Sequence, residues 1–101
     1  MLQQNHKIFT YLGFAAKART VKAGEQAVLA HLKKQKVFLL IISETASTNA
    51  IQRWKKTAEQ FQVPYIVFGE QEALGLAIGT SYKTILALTD EKMANHIQTL
   101  V

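Results

Sequence analysis

Residues 37–42, Val-Phe-Leu-Leu-Ile-Ile, form an unbroken apolar run of strand length. The run is partly β-branched, and a segment of this kind fits a central strand buried on both faces. Such a strand needs a layer on each side of it, and the flanking sequence supplies helices. From Asn5 to Ala18, Ile8, Leu12, Ala15 and Ala16 recur at helical spacing with Phe9 beside them. From Gly24, the spacing of Ala27, Val28 and Leu32 describes a helix ending near Gln35. Beyond the strand, Ser47 or Thr48 is placed to cap a helix that carries Ile51, Trp54, Ala58 and Phe61 on one face. Arg53, Lys55 and Lys56 face outward from it.

The same alternation continues. Val63–Phe68 reads as a second buried strand, entered through Pro64, where a missing N–H is tolerated. Gly69, Glu70 and Glu72 open a short helix through Leu74 to about Ile78, with carboxylates in its favourable first turn. Tyr82–Leu88 is expected as a strand, and Thr89-Asp90-Glu91 caps a last helix with Met93, Ile97 and Leu100. Arg19–Lys22 reads as extended, with a small edge strand around Val21. The fold class is therefore α/β, a three-layer α/β/α sandwich around a small sheet. Helical crossovers between consecutive strands make part of that sheet parallel. A chain of 101 residues is expected to form one domain over residues 1–101. Its core is expected from Phe38–Ile42 and Tyr65–Phe68.

Cysteine is absent, which removes disulfides, zinc–thiolate sites and Cys nucleophiles and suits a cytoplasmic protein. No apolar run approaches the roughly 18 residues of a membrane span, and Met1–Lys7 has no apolar stretch behind it to make a signal peptide. The charge is unevenly spread. Residues 1–56 hold ten Lys/Arg and two acids; residues 57–101 hold two Lys and five acids. Six of the basic residues and one acid, Glu25, fall within residues 17–36. Gly24 stands there at a helix start, whose unpaired N–H groups and positive dipole end receive phosphate. Flanking cations strengthen the attraction for a polyanion, so an RNA-binding surface is the leading expectation.

Nothing in the sequence assembles a reaction centre. His6, His31 and His96 lack metal-ligand spacing, and Ser43, Ser47 and Ser81 have no nucleophile elbow around them. Gly69, Gly75 and Gly79 make neither a GxGxxG nor a P-loop. We therefore expect a non-enzymatic chain without metal, cofactor or small-molecule substrate.

Two longer stretches carry a resemblance. They are Leu12-Gly-Phe-Ala-Ala-Lys17-Ala-Arg19-Thr-Val-Lys22-Ala-Gly24-Glu25 and Lys36-Val-Phe-Leu-Leu-Ile-Ile-Ser43-Glu44. Val63-Pro64-Tyr65, Leu74-Gly75-Leu-Ala77-Ile-Gly79 and Ala87-Leu88-Thr89-Asp90 follow in the expected order. The chain resembles the YlxQ-type bacterial members of the kink-turn RNA-binding ribosomal protein superfamily, the L-seven-Ae and L-thirty-e group. That resemblance implies a mixed four-stranded sheet and binding of a sharply bent RNA, the kink-turn, possibly within ribosomal RNA. The start of the second helix would enter the bend, and a loop before the last strand would cover a flipped-out nucleotide.

Carried over residue by residue, Gly24, Glu25 and Gln26 would present N–H groups and polar side chains to the RNA. Lys17, Arg19, Lys22, Lys33 and Lys34 would contact phosphates. Thr80, Ser81 and Tyr82 would form the covering loop, with Tyr82 either a stacking surface or a core residue at the strand start. The family's Gly-x-Asn-Glu element, followed after two residues by Lys, is altered: Gln26 replaces Asn, Ala27 replaces Glu and Ala30 replaces Lys. Those changes motivate an alternative, a protein-interaction module of the same fold that has lost specific RNA recognition.

Overall fold

The computed structural model describes residues 2–101. The elements run α1 (Leu2–Lys17), β1 (Val21–Ala23), α2 (Glu25–Lys33), β2 (Leu39–Ile42), α3 (Thr48–Gln60), β3 (Tyr65–Val67), α4 (Gln71–Ala77), β4 (Ile85–Leu88) and α5 (Glu91–Gln98). The strands form one mixed sheet in the order β1-β4-β2-β3. β2 and β3, joined by the α3 crossover, are parallel, while β4 runs antiparallel to both β1 and β2. β2 is thus interior, and all four of its residues are buried.

Side chains alternate across the sheet, and two cores result. Leu39, Ile41, Leu86 and Leu88 pack with Ile8, Leu12 and Ala15 of α1, Leu74 of α4, and Ala94 and Ile97 of α5. Leu40, Ile42, Ile85 and Ala87 pack with Val28 and Leu32 of α2 and Trp54 and Ala58 of α3. The three-layer sandwich follows from these two faces.

Three local expectations need correction. Phe38 is not core: its N–H joins the ladder by donating to the Leu88 carbonyl at 2.8 Å, but its side chain is 36% exposed. Val63–Phe68 is not a strand buried on both sides. β3 is a three-residue edge strand, half-buried, with Val67 exposed, because no strand covers its outer side. The last strand starts at Ile85 and not at Tyr82, since the Lys83 N–H donates to the Gln71 carbonyl of α4 at 3.0 Å.

The strand directions define two ends of the molecule. At the head, β1, β2 and β3 finish, β4 begins, and α2 and α3 start. At the base, β2 and β3 begin, β4 finishes, and α1, α2 and α3 end. Those three helices close alike. Arg19, Gln35 and Gln62 adopt positive φ, and the next N–H reaches back five residues, as in Thr20 to Ala15, Lys36 to His31 and Val63 to Ala58.

A polar network ties the head together. Ser43, fully buried, donates its hydroxyl to the Gly69 carbonyl at 2.9 Å, and its N–H donates to the Thr84 carbonyl. Gly69 N–H donates to the Glu44 carboxylate, Gln71 N–H to the Thr45 hydroxyl, and the Gln71 side-chain amide to the Thr84 hydroxyl at 2.8 Å. Replacing Ser43 by Ala leaves Gly69 one acceptor bond, from the Glu44 N–H. We expect a loss of about 1–2 kcal/mol, read as a fall in Tm of roughly 5 °C or more in thermal melts.

Candidate functional site

The head carries an open groove. One wall is the start of α2. Gly24, at φ +90°, adopts a conformation that an L side chain rarely takes, and its N–H donates to the Ile85 carbonyl. This turn swings the chain from the edge strand into α2 beside the start of β4. No side chain caps the helix, so the positive end of its dipole is left open where Gly24 and Glu25 line the groove.

The second wall is α3, begun by Ser47, whose hydroxyl accepts the Ala50 N–H at 3.1 Å. Ala50, Arg53 and the edge of Trp54 line the groove. The Arg53 guanidinium donates to Glu25 at 2.9 Å and lies 5.6 Å from the Trp54 ring centroid. Both charged partners are more than half exposed, so the pair contributes little to stability. Its consequence is local. The carboxylate of Glu25 is matched by Arg53 and does not stand as a bare negative charge at the helix start.

The third wall is the loop from Ser81 to Thr84. It lies against α4 because Gly75 has no side chain: a Cβ there would overlap the Ser81 carbonyl and come within 2.8 Å of the Tyr82 Cα. The Thr80 N–H donates to the Gly75 carbonyl at 2.9 Å. Together with the Lys83–Gln71 and Gln71–Thr84 bonds, this fastens the loop at both ends. Tyr82 is 63% exposed, so its core alternative is excluded. It divides two depressions. On one side are Gly24, Glu25, Arg53 and Lys83; on the other are Thr45, Glu70, Gln71 and Glu72.

The fold therefore sorts the sequence-derived candidates. Gly24, Glu25, Ser81 and Tyr82 meet in the groove; exposed Gln26 and Thr80 adjoin them on α2 and the loop. Lys22 is half-buried in β1, opposite Ala87. Lys17, Arg19, Lys33 and Lys34 are exposed at the base, so the structure does not bring them to the groove. Sequence reasoning missed Arg53, Lys83, Ala50 and Thr84. Arg53 meets Glu25 across 28 residues, a pairing that no local pattern announces; the lone acid in a basic stretch was the only hint. Among the described residues no group of three or more His, Asp or Glu could hold a metal ion, and no helix is long and apolar enough to cross a membrane.

An α/β/α sandwich whose head pairs a bare helix start with a clamped loop matches known proteins as a whole. The chain belongs to the Ribosomal protein L7Ae/L30e/S12e/Gadd45 family, whose profile matches residues 6–98. It is 30% identical to the RNA-binding protein YlxQ of Bacillus subtilis (strain 168) over 93 residues, 92% of this chain and 93% of that protein. The YlxQ-type resemblance read from the sequence is borne out. Among solved structures, a protein of unknown function from Bacillus halodurans C superposes with a TM-score of 0.88 at 28% identity. It covers 93% of this chain and 95% of its own. A Giardia lamblia 15.5kD RNA binding protein superposes at 0.76 with 20% identity, covering 98% and 91%; at that identity the likeness speaks for the fold.

Proposed function

We propose that the chain is a non-enzymatic RNA-binding protein, one domain over residues 1–101, that seats a bent, kink-turn-like RNA element in the head groove. Family membership and the likeness to a protein named for RNA binding support this reading. The observation that carries it is the opposition of an uncapped helix start, flanked by Lys83 and the Glu25-paired Arg53, to an exposed aromatic on a fixed loop. The first-turn N–H groups of α2, Arg53 and Lys83 receive phosphates. Gln26 offers its amide to a base edge, and Tyr82 stacks on an extruded base. The RNA backbone runs on the α2–α3 side of Tyr82, because Glu70 and Glu72 on the other side repel phosphate. Work on structured RNA, including ribosomal RNA, in the cytoplasm is consistent with this role.

Filter binding with a kink-turn hairpin and an unbent duplex of equal length tests the proposal. The hairpin is expected to bind more tightly, with a log–log salt slope of about −2, as two or three neutralised phosphates require. Tyr82→Ala should weaken hairpin binding by about 1–3 kcal/mol with no change in Tm. Equal affinity for both RNAs would reduce the activity to basic stickiness. No binding to either would favour a protein partner, the reading that Ala27 and Ala30 suggest.

A further inference from the structure

We infer that the base of the molecule is a second RNA-contact surface, gripping phosphates of a segment outside the element seated at the head. The inference rests on the RNA reading above and adds a separate footprint to it. The end of α2 presents Lys33, Lys34 and Lys36, and the end of α1 adds Lys17 and Arg19; all five are exposed. Among the described residues the ion pair found is Arg53–Glu25, so none of these five has a carboxylate within salt-bridge distance. Phe38 opens an aromatic surface at the same end. Three acids share this end without pairing to these cations: Asp90, which accepts the Met93 N–H, Glu91, which opens α5, and Glu59, late in α3.

The backbone at this end points the same way. Positive φ after a helix is the usual place of glycine. Here all three such positions carry long side chains with N–H donors, Arg19, Gln35 and Gln62. These positions close the helices, and two of them, Arg19 and Gln35, leave exposed N–H donors beside the lysines at the base. α2 has nine residues, about 13 Å of rise, so the phosphate held at Gly24 is out of reach of Lys34, which must take another. The competing account is that the lysines only complement the negative end of the α2 dipole; in that case their removal lowers stability and leaves binding alone.

Binding is measured for a short kink-turn hairpin and for the same hairpin extended by a duplex arm or by a single-stranded tail. For the wild type the salt slope is expected to steepen from about −2 on the short hairpin to about −4 on an extended RNA. The arm that steepens more identifies the form of the second segment. Lys33→Ala/Lys34→Ala/Lys36→Ala should abolish the increment, returning the slope to about −2, and keep short-hairpin affinity within about twofold, as expected of distant, independent sites. Gln35→Gly should melt no lower than the wild type yet weaken the extended complex. Equal weakening of short and extended complexes by the triple variant would place the base in the head's footprint and overturn the inference. A lower Tm with unchanged binding would overturn it in favour of the dipole. A wild type that ignores the short hairpin but binds extended RNA through these lysines would sink the head reading and leave the base standing.

Discussion

Gly75→Ala is expected to unseat the loop that carries Tyr82, although alanine is the better helix former by about 1 kcal/mol. The added methyl would meet backbone, the Ser81 carbonyl and the Tyr82 Cα, and backbone cannot turn aside as a side chain can. Either α4 or the loop must move, a kind of overpacking that costs about 1–3 kcal/mol. The Thr80–Gly75 and Lys83–Gln71 bonds are strained or broken with it. Thermal melts should show a Tm lower by several degrees. Hairpin affinity should fall about tenfold or more if stacking on Tyr82 is lost. Gly79→Ala is the control: φ is +81° there, but no atom lies within 4 Å of the new Cβ, so it adds backbone strain without pushing the loop. A Gly75→Ala protein equal to wild type in both measurements would mean that the loop does not rest on α4.

Trp54→Ala should have the largest effect on stability. The ring is 2% exposed and heads the fully buried side chains by volume. It packs in the α2–α3 core with Val28, Leu32, Leu40 and Ile85. Truncation of a buried aromatic costs about 3–5 kcal/mol, a large share of the 5–15 kcal/mol that stabilises a typical domain. Urea titration should show the midpoint moving far down with little change in slope. The variant should also bind RNA less well where it is still folded, because Arg53 loses the surface on which its guanidinium lies. An unchanged urea midpoint would contradict the packing described.

These two residues illustrate what a linear reading reaches. Trp54 was legible because a helix repeats its buried face every three or four residues, and Ile51, Trp54, Ala58 and Phe61 keep that period. Residues 39–42 were legible because only an interior strand tolerates apolar side chains on both faces. Residues 65–67 looked alike and proved to be an edge, since strand order is decided by pairing and not by composition. The role of Gly75 was invisible, because its neighbour is a loop whose path is set by where β4 enters the sheet. The basic residues of 17–36 were read as one RNA-binding surface, but the fold parts those cations. α2 runs from head to base, and residues close in sequence at its two ends face different surroundings. The groove itself needed three separate segments to converge; only the one around Gly24 had a local mark, and the loop at Ser81 came from the family resemblance.

The short outer strands bear on how concentrated solutions of this protein behave. β1 and β3 are three residues long, Lys22 sits in the middle of one, and Pro64 immediately precedes the other. A neighbouring molecule that tried to extend the ladder would gain few hydrogen bonds, and at β1 it would have to accommodate a lysine. Edge-to-edge pairing between molecules is thereby disfavoured.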